Sequence, residues 1–222
     1  MPPDAAFTYD GGRVDPGTRQ NLRYAISETY LGDPVRIPVT IVNGERPGPT
    51  LFLSAASHGD ELNGIEVVRE VAHDWDLSDL RGTLVCLPVL NVPGFLARIF
   101  GNFIAPCDLG IDLHTSTRGR TNMLHVRADM SDDAVARLAR AFGSHVIIDS
   151  EGGDGLLRTE ATRAEIPTVT VEMGEAHRFQ RDLIDDALAG VRSVFAEYDL
   201  LEPPAVRWPG WRTVIRDDDE RT

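Results

Sequence analysis

Short apolar runs alternate along the chain with stretches of helical periodicity. Val35–Asn43 (VRIPVTIVN) reads as a strand, and Pro38 within it points to an edge position, because proline cannot donate to a ladder. After the turn GERPGPT, Thr50–Ala55 (TLFLSA) is a continuous apolar run, the mark of a buried strand. Leu62, Ile65, Val68 and Val71 then recur at helical spacing, so a helix is expected over His58–Asp74, starting just after His58. Thr83–Leu90 and Cys107–His114 are two more buried strands. Ser131–Phe142 is an amphipathic helix with Ser and Asp near its start, residues suited to capping and to the helix dipole. His145–Asp149 reads as a strand, Ala161–Ile166 as the end of a helix stopped by Pro167, Thr168–Met173 (TVTVEM) as the last central strand, and Phe179–Tyr198 as a long amphipathic helix. The segment before Val35 is polar and rich in turns, and a Pro/Trp-rich exit (PPAVRWPGW) follows the last helix. Strands alternating with helices predict an α/β fold, a mixed and largely parallel twisted sheet flanked by helices. The expected organisation is one domain over residues 1–200 and an exit segment over 201–222.

Composition narrows the function classes. The 222 residues are 42% apolar, enough for a sizeable core. A net charge of −13 without any Lys/Arg cluster argues against a nucleic-acid partner, since phosphate binding needs clustered positive charge. The acidic run Asp217–Glu220 is expected to be solvated. The two cysteines, Cys86 and Cys107, lie in apolar stretches without CxxC spacing, and buried free thiols in a reducing compartment are expected. The N-terminus lacks the charged and apolar regions of a signal peptide, and no apolar run approaches the roughly 20 residues of a membrane span. The expectation is a cytoplasmic protein with no membrane partner; its composition is compatible with a homo-oligomer.

The chemistry-bearing residues fall where predicted strands end, the place where α/β sheets gather ligands. Ser57-His58-Gly59-Asp60-Glu61 puts a His and a Glu three apart between a strand and a helix, and Gly59 permits a tight path. His114, in Asp112-Leu113-His114-Thr115, is a fitting third ligand for a zinc site of the His₂Glu type. Asp112, two residues from His114, is a candidate carboxylate to accept the other ring N–H of that ligand, a contact that spacing alone does not decide. A lone HxxE often arises by chance, and Asp60 as helix N-cap with Glu61 as a first-turn acid is an alternative. Joint placement after separate buried strands favours the metal. Glu172 interrupts an apolar strand and is the candidate general base, with Glu175 a weaker one. An exposed strand-end Glu is the competing reading.

Together these pieces resemble the succinylglutamate desuccinylase/aspartoacylase family, a branch of the zinc-carboxypeptidase-like fold. The matching stretches are Ser57–Glu66 (SHGDELNGIE), Asn91–Gly94 (NVPG), Gly110–Thr115 (GIDLHT), Arg120–Asn122 (RTN) and Pro167–Glu175 (PTVTVEMGE). The resemblance implies one zinc ion on His58, Glu61 and His114, with Glu172 as base and proton shuttle. It also implies hydrolysis of a small N-acyl amino acid to a carboxylate and a free amine. An Arg in the position of Arg158, together with Arg120 and Asn122, is implied for gripping the substrate.

Two departures matter. The family carries an Arg-Asp-Leu-Asn-Arg-like segment whose arginines hold the substrate; here NVPGFLARIFGNFIAPCDLGID stands in that place, with Arg98 its only arginine and a partial substitute. The family also continues into a β-rich C-terminal domain, of which at most a first strand, Trp211–Ile215, is expected here. A metal-binding protein with weak or no catalysis is therefore one alternative reading, and a zinc carboxypeptidase-type peptidase another. His177 is unassigned, and His73, His125 and His145 are expected to be structural.

Overall fold

A computed structural model of the chain describes residues 6–28, 31, 33–58, 60–90, 96–116, 119–202 and 209–216. The NVPG match at residues 91–94 lies outside them. A small hairpin, β1 (Phe7–Tyr9) with β2 (Gly12–Val14), precedes a nine-stranded sheet. The sheet is built from β3 (Thr18–Glu28), β4 (Pro34–Asn43), β5 (Arg46–Ala55), β6 (Arg81–Leu87), β7 (Leu109–Ser116), β8 (Asn122–Ala128), β9 (Val146–Asp149), β10 (Thr168–Glu175) and β11 (Thr213–Arg216). Its order is β11-β9-β8-β10-β7-β5-β6-β4-β3. β10, β7, β5 and β6 run parallel, and β8, β9 and β11 run parallel to one another but opposite to β10. β4 is antiparallel to both β6 and β3. The helices are α1 (Leu62–His73), α2 (Leu96–Ile99), which runs into a π-helical turn at Phe100–Ile104, α3 (Asp133–Phe142), α4 (Leu157–Arg163) and α5 (Arg181–Glu197). This is the mixed, largely parallel α/β sheet that the alternating pattern predicts.

Alternation along the central strands divides their side chains between two layers. Leu51, Leu53 and Ala55 of β5, Ile111 and Leu113 of β7, and Val169, Val171 and Met173 of β10 are buried in the core shared with α1, α3 and α5. Each such large side chain contributes roughly 1.5–3 kcal/mol on leaving water. α1 comes close enough that a Cβ on Gly64 would lie 3.0 Å from the Cβ atoms of Ala55 and Leu113. On the other face Phe52, Val85 and Leu87 pack with Phe103 and Ile104 of the π-helical turn and with Phe7 and Val14 of the hairpin. Asp112, His114 and Glu172 alternate with the first set and so lie on this second side. From β5 the chain crosses to β6 on one side and later returns to β7 on the other. The carboxyl ends of β5 and β7 therefore flank a topological switch point, where open α/β sheets bind ligands.

Several expectations are corrected. β4 is not an edge strand: Pro38 pairs with Arg23 on β3, while the ladder to β6 starts only at Thr40. The missing N–H is tolerated because Pro38 lies in the overhang. The turn-rich N-terminus holds β3, whose alternation is faint because it is the sheet edge and only Tyr24 and Ile26 are buried. Helix α1 begins at Leu62 rather than just after His58. β8 escaped the apolar pattern because Met123, His125 and Arg127 interleave Leu124, Val126 and Ala128. Within the exit segment, Thr213–Arg216 pairs with β9 and extends the main sheet. α3 matches its cue: the Asp132 side chain accepts from the N–H groups of Ala134 (2.8 Å) and Val135 (3.0 Å).

Candidate functional site

β5 ends at Ala55, and the next residue, Ala56, is fully buried and left-handed at φ 48, a conformation that costs a non-glycine residue about 1–2 kcal/mol. That bend turns the chain out of the sheet and delivers His58 to the switch point. Glu61 occupies the N-cap position of α1, yet its side chain does not cap the helix. It turns back to His58 instead: Oε2 accepts from the His58 N–H at 3.1 Å, and Oε1 lies 3.0 Å from His58 Nδ1. The same Oε1 lies 3.3 Å from His114 Nδ1. The capping alternative for this segment therefore fails.

His114 is held from its other side. Its Nε2 lies 2.7 Å from Asp112 Oδ2, and the second Asp112 oxygen accepts from Ser54 Oγ at 2.7 Å. The carboxylate, 2% exposed, has both oxygens engaged, so it fixes the ring and leaves Nδ1 directed at Glu61. Ser54 was not singled out in the sequence, although a serine inside the apolar run TLFLSA is a legible signal.

One nitrogen or oxygen atom from each of His58, Glu61 and His114 lies within 4.8 Å of the others. Tetrahedral zinc ligands at 2.0–2.2 Å from the metal stand about 3.4 Å apart, so modest rotation of the exposed His58 ring completes such a set. Glu61 is 2% exposed, and a buried carboxylate requires a cationic partner. Burial by itself would raise the Glu61 pKa, but contacts with His114 and then His58 hold it below its ordinary value. Burial likewise opposes charge on His114, but the Asp112 and Glu61 carboxylates outweigh it and push the ring up to about 11. A proton thus takes the place between carboxylates where a cation fits.

Glu172 pairs in register with His114 on β7 and with His125 on β8, so it stands one strand from the cluster. It is half-buried, and its Oε2 accepts from Asn122 Nδ2 at 3.0 Å. Both ladders break just after it, and Gly174 takes φ 69. Buried Asn63 accepts the Gln180 N–H at 2.8 Å, and Gln180 Oε1 accepts the Glu175 N–H at 2.6 Å, which ties the strand end to α1. Glu175 faces Arg178 at 3.5 Å.

Arg158 on α4 is only 5% exposed. Its Nη1 donates to the carbonyls of Ser150 (2.7 Å) and Glu151 (3.1 Å). Burial, reinforced by the Arg127 charge, lowers its pKa, while the Asp129, Asp112 and Glu172 carboxylates act in the opposite sense. Gly152, at φ 83, lies against this guanidinium: an added Cβ would stand 2.9 Å from Arg158 Cζ. Arg158, Arg127, Asp129 and Asp149 line a cavity of about 730 Å³.

The other expected binding residues divide. Asn122 is at the site through Glu172, and Arg120 is exposed just before β8. Arg98 pairs with Asp10 at 3.1 Å and lies over the Tyr24 ring, so its observed contacts are with the hairpin turn and β3 rather than the cluster. His177 lies 3.5 Å from Asp60, and His145 stacks on Trp211.

The family model described as the succinylglutamate desuccinylase/aspartoacylase catalytic domain matches residues 47–99 and 95–198. An N-alpha-acetyl-L-2,4-diaminobutyric acid deacetylase from Halomonas elongata is 36% identical over 77 residues, 34% of this chain and 21% of that protein. The matched stretch thus spans about a fifth of that relative's length. Among solved structures, the apo ectoine utilization protein EutE (DoeB) from Ruegeria pomeroyi superposes with a TM-score of 0.75 at 22% identity, over 85% of this chain and 68% of that one. A succinylglutamate desuccinylase/aspartoacylase from Rhodobacter sphaeroides gives 0.73 at 22% identity, over 90% and 73%. These two share the fold.

Proposed function

Because the chain belongs to the succinylglutamate desuccinylase/aspartoacylase catalytic-domain family, we propose that it is a zinc-dependent hydrolase cleaving the amide bond of a small N-acyl amino acid. The observation that carries this reading is the convergence of His58, Glu61 and His114 beside Glu172 at the switch point. His58, Glu61 and His114 would hold the zinc, and Asp112 would fix the His114 ring. A bound zinc supplies Lewis acidity that polarises a carbonyl and lowers the pKa of water. Glu172 takes a proton from the attacking water and returns it to the leaving nitrogen, so amide and water become carboxylate and amine. Asn122 holds one Glu172 oxygen, and among the described residues the other accepts no hydrogen bond and is open to that proton. Arg158 presents its remaining N–H edge to the substrate carboxylate, a geometry that suits a guanidinium fork.

Arg98 is the one arginine of the stretch that replaces the family's arginine segment, and Asp10 engages it. Losing one oxyanion donor typically slows turnover by about 10²–10³. Slow hydrolysis is therefore the expected form of the activity. The reading includes a cytoplasmic setting, supported by two free, buried thiols; no helix among the described residues is long and apolar enough to cross a membrane. Glu172→Gln tests the assignment: zinc content should be unchanged and turnover of N-acyl amino acids lost, whereas retained turnover removes Glu172 from the reaction.

A further inference from the structure

Glu172 stands just before a break in the sheet. Beyond it, β10 resumes pairing with β7 only at Glu175 and with β8 only at Gly174. The backbone on that side of the base is not held by a continuous ladder, and register is what keeps a strand side chain on its face. A pair of side-chain amides holds it instead. Gln180 Oε1 accepts the Glu175 N–H at 2.6 Å and a proton of Asn63 Nδ2 at 3.2 Å, while Asn63 Oδ1 accepts the Gln180 N–H at 2.8 Å. Asn63 is 0% exposed and lies two residues after Glu61, so the pair is anchored on the helix that leaves the metal-ligand segment. Gly174 packs directly on both amides: at φ 69, an added Cβ would overlap Gln180 Oε1 and stand 2.6 Å from Asn63 Nδ2. Gln180 occupies the N-cap position of α5, yet its side chain caps nothing, and glutamine is not a residue favoured there. Its side-chain nitrogen makes no hydrogen bond among the described residues, so one acceptor oxygen carries both contacts. The same loop is bonded to the two other arms of the cluster. The Ala176 N–H donates to the Ser116 carbonyl on β7 at 3.2 Å, and the His177 N–H donates to the carbonyl of Asp60, beside Glu61, at 2.9 Å.

We propose that Gln180 is a positioning residue for Glu172: its Oε1, set by Asn63, fixes the end of β10 and with it the place of the base relative to His58, Glu61 and His114. This rests on the hydrolase reading above. Gln180 acts only through the backbone of the base's own strand. A displacement of about 1 Å from productive geometry can cost on the order of 10²-fold in rate, so a small shift of that strand end is enough to matter.

The test sets Gln180→Met, which keeps the length of the side chain and removes the acceptor, beside Gln180→Glu, which keeps the acceptor. In zinc-loaded protein Q180M should lower kcat for an N-acyl amino acid about 10- to 100-fold, with KM and zinc content per chain unchanged. Q180E should retain most of the wild-type kcat. In metal-free protein, exchange of the Glu175 amide hydrogen, followed by NMR, should run about tenfold faster in Q180M than in wild type or Q180E, the loss of one hydrogen bond. Should Q180M fail to fold, Gln180→Asn withdraws the acceptor by one methylene, places a favoured N-cap residue on α5, and carries the same expectations. Wild-type kcat in Q180M, equal losses in Q180M and Q180E, or a loss carried by KM or by zinc content overturns the assignment. The two ideas fail separately. Wild-type protein without turnover sinks the hydrolase reading, and the positioning role falls with it. Wild-type turnover with an unaffected Q180M sinks the positioning role alone.

Discussion

Gly152 and Gly153 are adjacent glycines with opposite expectations. Gly152 has φ 83, and an added Cβ would stand 2.7 Å from Thr159 Oγ1 and 2.9 Å from both Cζ and Nη2 of Arg158. A Cβ on Gly153 would meet nothing within 4 Å. Placing alanine in the left-handed region costs about 1–2 kcal/mol. The contacts are shorter than real Cβ atoms make, so Arg158 or Thr159 must move. Arg158 is held by its Nη1 bonds to the carbonyls of Ser150 (2.7 Å) and Glu151 (3.1 Å). Losing one bond to a charged group adds roughly 1.5–3 kcal/mol. Gly152→Ala should thus destabilise by roughly 3–5 kcal/mol in all, a fall in melting temperature of about 6–20 °C for a chain of this size. Gly153→Ala should stay within about 0.5 kcal/mol of wild type. Calorimetric melting measures the stability, and KM for an N-acyl amino acid measures the site; G152A should raise KM more than it lowers kcat. If both variants melt together with equal KM, Arg158 is not braced by this loop and does not bind substrate as described.

Asp112→Asn keeps the shape and removes the charge behind His114, so zinc affinity should fall about 10- to 100-fold in a chelator competition; unchanged affinity would remove Asp112 from the site. The metal-free protein carries a pH signature, because folding raises His114 from 6.5 to about 11. A raised pKa contributes stability that is full below pH 6.5, shrinks above it and is gone past about 11. Metal-free wild type should therefore lose stability relative to His114→Gln across that window, and a difference independent of pH would contradict it.

The convergence of His58, Glu61 and His114 was legible because these residues follow apolar runs, and such runs mark central strands. Thr50–Ala55 is buried on both sides, so residues just past it must leave the sheet near the neighbouring strand's end. The edges were less legible. β3 buries few side chains, and β8 interleaves His125 and Arg127 with its apolar residues, so neither shows the apolar density on which pattern reading depends. Arg98 failed in the opposite sense. It stands where the family's arginine segment is replaced, and a through-space partner 88 residues away, Asp10, engages it. Gly152 acts through packing against Arg158 and Thr159, which no spacing rule encodes.

The central claim is that His58, Glu61 and His114 hold one zinc ion on which hydrolysis depends. It is tested most directly by stripping the protein with chelator, adding zinc in sub-stoichiometric steps, and following hydrolysis of an N-acyl amino acid at each step. Turnover should rise linearly and break at one zinc per chain in wild type, and stay at background in His114→Ala. Turnover in the stripped protein, or a rise in His114→Ala that matches wild type, would contradict the account.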